Sequence, residues 1–208
     1  MTDNDYFWPG IAAIALAAIY LVLWIYEIGF GDMLQIVIRD GGTIRNWKID
    51  LADWVFLGVG ALTIYIHYSL MRILGDHHNY HGIDILLIVQ ICLCVIFYAG
   101  LFATDVILVL AGDQLSSSAQ NFIVVASASL FLGFIIITGL MEILIGIMLL
   151  REPDQLPSLM RIFAISTLIL GIFDLSVIFA AAAIFIFPMT LIILAMRFLQ
   201  RPQMIEVA

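Results

Sequence analysis

Between Phe122 and Leu150 the chain runs for 29 predominantly apolar residues with a single ionisable side chain, Glu142. As an α-helix rising 1.5 Å per residue, this run is about 43 Å long, more than a hydrocarbon core of roughly 30 Å requires. It reads as a membrane-spanning helix, tilted or protruding. Insertion scales put an acid at the centre of such a helix at about 2.5–3.5 kcal/mol unfavourable, so Glu142 is expected to face protein or trapped water. Ala128, Ile135, Thr138, Gly139, Ile145 and Gly146 fall on the same side of the helical wheel. That face is small and partly polar, the composition that lets a second helix approach closely.

The rest of the chain is of the same kind. With 64% hydrophobic and 12% charged residues, it lies far from the soluble average of about half apolar and a quarter charged. Spanning segments must satisfy their own backbone hydrogen bonds, and the long runs lack the alternation of a membrane barrel. The expected fold is an all-α integral membrane protein, a single polytopic domain over residues 1–208. Six spans are expected, at about 11–30, 53–74, 83–111, 122–150, 156–173 and 176–199.

Two places decide the count and the loops. Residues 158–199 hold no clear polar loop, yet one helix of that length would be about 63 Å long, twice the core. A turn at Phe173–Ser176 divides the stretch into two spans, with Pro188 inside the second; a single bent helix is the five-span alternative. The polar connection from Gly31 to Asp50 carries Asp40-Gly41 between β-rich runs, which predicts a short hairpin. An amphipathic interfacial helix is the alternative there.

Orientation follows the basic residues near helix ends. Six spans with the N-terminus in the cytoplasm place Arg72, Arg151, Arg161, Arg197 and Arg201 inside, and Arg39, Arg45 and Lys48 outside. The N-terminal segment carries Asp3 and Asp5 and no basic residue, which argues against a cleaved secretory signal. The expected location is the plasma or inner membrane. One Lys and seven Arg, dispersed, offer no basic surface for nucleic acid. The expected partners are the lipid bilayer and either further copies of the chain or other membrane subunits.

The polar residues inside the spans are the candidate functional groups. His67 shares a helical face with Gly60 and Thr63, and Asp105 shares one with Cys94 and Tyr98, with Gln90 at its edge. Glu142 lies with Thr138, Gly139 and Gly146, and Asp174 follows Thr167 and Gly171. Such stripes make hydrogen bonds between helices and also line proton and ion paths. His67 and Glu142, each about 10–13 Å from one end of its span, are expected to lie at one end of such a path, with Asp105 at the other.

A second cluster, His77, His78, His81 and Asp84, surrounds the loop after the second span. His77 and His81 are four residues apart, a spacing that shares a metal such as zinc if both lie on one helical turn; otherwise the histidines are solvated loop residues. No HExxH or serine-nucleophile motif is present, and the sole Lys is outside the spans, so no retinal-type Schiff base is expected. No cofactor is expected apart from a divalent metal at those histidines. The composition thus favours a non-enzymatic channel or transporter for protons, cations or small solutes. An accessory subunit of a larger membrane complex is the alternative, and a membrane-embedded metal-dependent enzyme a third reading.

Overall fold

A computed structural model of the chain describes residues 6–25, 48–111, 114–151, 156–176 and 180–200. Six α-helices and no strand occur among them: α1 (Phe7–Ile25), α2 (Leu51–His78), α3 (Asp84–Ala111), α4 (Ser117–Arg151), α5 (Ser158–Leu175) and α6 (Ala180–Leu199). Helices α2 to α6 are long and apolar enough to cross a membrane, while the apolar part of α1, Phe7–Val22, is shorter. The expected hairpin falls almost wholly on residues 26–47, outside the described residues.

Local chemistry explains where the helices begin and end. Helix α1 starts four residues before the expected span because Pro9 sits in its first turn, where a missing N–H leaves no hydrogen bond unmade. Helix α2 is started by a capping box. The Asp50 carboxylate accepts from the Ala52 and Asp53 amides at 2.7 and 3.3 Å, and Asp53 accepts from the Asp50 amide at 2.8 Å. It runs four residues beyond the expected end at Leu74. Gly75 is tolerated inside a helix, and the stop comes from Asn79, held left-handed at φ 47°, with the Asn79 and Tyr80 amides donating to the Gly75 and Leu74 carbonyls. The expected turn at Phe173–Ser176 is found: α5 ends at Leu175 and α6 is a separate helix holding Pro188.

The helices form a closed ring. Each packs on its neighbours in chain order, and α6 closes on α1. The most extensive contact is α4 on α5, built on glycine. A methyl group at Gly171 would stand 3.0 Å from the Glu142 Cβ and against the Gly139 carbonyl, and one at Gly139 would stand 3.2 Å from the Asp174 Cβ. Lower down, Gly146 meets the Ala164 carbonyl and Leu168. The small face expected around Glu142 therefore has its partner helix, and each glycine clears space for the acid-bearing residue of the other helix.

One end of the ring is sealed. The Tyr6 hydroxyl donates to Asp76 Oδ2 at 2.8 Å, the Tyr6 ring stacks on Phe198 at 6.2 Å, and the Tyr80 hydroxyl donates to the Met148 carbonyl at 3.0 Å. These contacts gather the start of α1 with the ends of α2, α4 and α6. Just inside them lie Leu74, Ile83, Leu149, Met160 and Phe198, none with any exposed surface. One helical turn deeper a second apolar layer follows, made of Leu70, Leu87, Ile145, Phe163 and Leu194.

Candidate functional site: a polar chamber inside the helix ring

Above the second apolar layer the ring encloses a chamber of about 170 Å³ to which all six helices contribute. His67 on α2, Gln90 on α3, Glu142 on α4, Thr167 on α5 and Thr190 on α6 each line it, so five helices supply one polar side chain each. Glu142 faces Gly171, and Gly146 faces Leu168 and the Ala164 carbonyl, which sets Thr167 about one helical turn from Glu142. Two turns further up, Tyr98 and Phe134 reach the chamber, each eleven residues, or about 16 Å, from the floor residue of its own helix, while Asp174 lines it beside Gly139. Tyr20 and Phe187, 4.7 Å apart, line it from α1 and α6.

The upper wall is held by aromatic packing. Phe97 stacks on Phe134 at 3.9 Å, and Tyr98 packs on Phe56 at 4.7 Å. The Tyr98 ring lies in the space left by the missing side chain of Gly60. Lower down, the His67 Nδ1 lies 2.8 Å from the Thr63 carbonyl. A carbonyl only accepts, so Nδ1 carries the hydrogen, and in the neutral ring Nε2 is left as the basic nitrogen.

The carboxyl groups of Glu142 and Asp174 lie within hydrogen-bonding reach of each other. Two carboxyl groups share a hydrogen bond only when one of them carries a proton. Three oxygens that belong to residues lining the chamber are buried without a partner among the described residues: Gln90 Oε1, Glu142 Oε2 and Thr167 Oγ1. Buried polar atoms are almost always satisfied, by protein or by ordered water. The surrounding threonines are different. Thr63, Thr138 and Thr190 turn their hydroxyls back onto the Val59, Phe134 and Ile186 carbonyls of their own helices at 2.7–3.0 Å.

Comparison with protein-family models, with curated proteins and with solved structures finds no match to this chain. The reading of the site therefore rests on its geometry.

Of the residues expected to form an intramembrane path, His67, Glu142 and Asp174 meet in the chamber, and Asp105 does not line it. The acid that joins Glu142 is Asp174, from the last turn of α5. Tyr20, Phe187 and Thr190 were not singled out in the sequence; the signal available for Thr190 is that it is the one hydroxyl in α6. At the loop, His81 Nδ1 pairs with Asp84 Oδ2 at 2.8 Å. His77 and His78 close α2, whereas His81 follows its cap, so the four-residue spacing does not place His77 and His81 on one helical turn. The side chains of His77 and His78 lie outside the described residues. Among the described residues no three His, Cys, Asp or Glu side chains are grouped to hold a metal ion.

Proposed function

We propose that this protein is a transport-type membrane bundle that handles protons or small cations through the chamber. One observation carries the reading: within a ring of helices, a basic nitrogen of His67 and the Glu142–Asp174 carboxyl pair line a single cavity. Ionisable side chains at membrane depth are expensive unless they serve a pathway, and packing alone asks only for satisfied hydrogen bonds. Among the described residues the cavity is lined by carboxyl groups and by no Lys or Arg, which favours positive charge. The two apolar layers close it toward the end that gathers Tyr6 and Phe198, so passage in that direction requires those layers to part.

In this reading α1 is the first of six spans, and both termini face the cytoplasm of a plasma or inner membrane. Stacking of Tyr6 on Phe198 supports an even number of passes between them. Reporters placed after Ala208 and near Gly41 are expected on opposite sides; finding both on one side overturns the six-span topology.

The functional test is proton and cation flux in liposomes. Wild type is expected to conduct with pH dependence. Glu142→Gln is expected to fold normally and lose that flux, because an amide exchanges no proton, and His67→Gln is expected to behave likewise. Equal flux by wild type and Glu142→Gln at every pH makes the acid structural and ends the proposal. A second reading, an accessory subunit packed in a larger complex, is favoured by Gly133, where an added methyl group would meet open space, and by the exposed Ser129 one turn away. Size in detergent with and without co-purifying chains tests it.

A further inference from the structure

We infer that the groove between the outer halves of α3 and α4 is a fixed binding site for one acyl chain of a phospholipid. The inference concerns the outside of the ring and goes beyond the transport reading. It begins with unequal helix lengths. Helix α5 has 18 residues and α4 has 35, about 27 and 52 Å of helix. Leu175, at the end of α5, meets α4 at Gly139. The part of α4 that precedes Gly139 packs on α3 instead, where Phe97 stacks on Phe134 and a methyl group at Gly100 would stand 3.2 Å from Leu130. From Leu130 toward the start of α4, a groove of about 150 Å³ lies between the two helices, and among the described residues all the side chains that line it are theirs. Ile107, Phe122, Ile123, Ala126 and Leu130 make it apolar. Thr104 and Ser127 are the polar exceptions: the Thr104 hydroxyl donates to the Gly100 carbonyl at 2.9 Å, and Ser127 is only 4% exposed. Ile107 and Phe122, by contrast, are 51% and 73% exposed, so the rim lies on the outer surface of two helices long and apolar enough to span a membrane. The medium at that rim is hydrocarbon.

Size and wetting choose the occupant. An apolar cavity of about 150 Å³ stays dry and holds benzene, so this groove takes a hydrocarbon segment of roughly five or six carbons and not water. A partner helix, about 10 Å across, is too thick to enter. Helices also meet in lipid where small residues let their backbones approach, whereas Ile107 and Phe122 are large. An acyl chain is thin and flexible enough to lie between them. Because lipid tails are themselves apolar, the gain is contact: an unfilled gap leaves its walls without partner atoms, and a seated chain restores them. The exposed Ser118 stands one turn before Phe122 and marks the polar end, so the chain enters from the headgroups beside the α3–α4 turn.

The experiment uses the full chain in phosphatidylcholine liposomes carrying a trace of the same lipid with a diazirine in its acyl chain. After irradiation, the label is located by peptide mass spectrometry. Labelling per residue along the groove is expected to exceed that on the outer face of α5 by about fivefold or more. That face, with Ile162, Ile165, Ile169 and Ile172, is likewise apolar and exposed. Ala126→Phe, which fills the groove, is expected to melt like wild type and to bring the groove down to the α5 value. Equal labelling of the two faces overturns the inference, as does unchanged groove labelling in a folded Ala126→Phe protein. An unlabelled groove in a protein that runs as a dimer gives the groove to a second copy and overturns it too. The comparison of faces in wild type decides even where the variant does not fold. No outcome depends on flux through the chamber, so this site and the transport reading stand or fall separately.

Discussion

The sealed end of the ring and the chamber above it are built from the same helices. Below, Leu74, Ile83, Leu149, Met160 and Phe198 fill their level with no surface left. Above, His67, Gln90, Glu142, Thr167 and Thr190 leave a cavity and three unpaired oxygens. A bundle optimised for cohesion would repeat the lower pattern upward, because close packing and satisfied polar groups are what hold helices together in lipid. The upper level gives up both. The contrast separates the part of the ring that holds it together from the part that does something.

The sharpest way to break the contrast is to empty the lower level. Phe198→Ala is expected to lower stability by about 3 kcal/mol, the low end for a buried phenylalanine, since lipid already solvates an apolar ring and packing is the main loss. Melting in detergent checks it, and a loss below 1 kcal/mol would mean that the sealed end is not the cohesive one. Next in size is Gly171→Ala. Its methyl group would meet the Gly139 carbonyl and the Glu142 Cβ, an overpacking effect of about 1–3 kcal/mol, partly offset by the roughly 1 kcal/mol that alanine gains over glycine in a helix. Gly133→Ala, facing open space in the same α4, is its control and is expected to stabilise slightly; equal losses at both positions would remove the argument for a glycine crossing.

Tyr6→Phe deletes one hydrogen bond to Asp76 at the sealed end and is expected to cost about 1 kcal/mol by equilibrium unfolding. Smallest of all is Thr167→Val. The Thr167 hydroxyl has no partner among the described residues, so an apolar group of the same shape is expected to be neutral or mildly stabilising. A loss above 1 kcal/mol would show that a ligand or water in the chamber bonds this hydroxyl, and so would move Thr167 from a destabilised group to a satisfied one.

Much of the ring was legible in the sequence, because long apolar runs and turn residues report directly on spans. The runs ending at Ala111 and Leu150 and the break near Ser176 needed only length and composition. The early start of α1 and the late end of α2 lie beyond the expected bounds at residues 11 and 74 because a first-turn proline, Pro9, and a mid-helix glycine, Gly75, are both permitted in a helix. The small face around Glu142 pointed to a close helix partner, but helical wheels rotate freely about their own axes. Nothing in one helix's pattern says that Asp174, and not Asp105, stands opposite. That choice is made by the registration of Gly139 on Gly171, a property of two helices together. That His67, Gln90, Glu142, Thr167 and Thr190 line one cavity is likewise invisible until five helices are packed together.

The pairing of Glu142 with Asp174 has a consequence for the order in which the chain is made. Asp174 lies 32 residues downstream of Glu142, roughly 2–6 s of synthesis at 5–20 residues per second. When α4 enters the bilayer, α2 and α3 are already present, but the helix that matches its acid does not yet exist. A chain that stops after α4 carries an unmatched carboxyl among lipid tails, and the ring itself stays open until the last helix finds the first. Burial of Glu142 thus waits on α5: only a chain that has reached Asp174 gives that acid its neighbour.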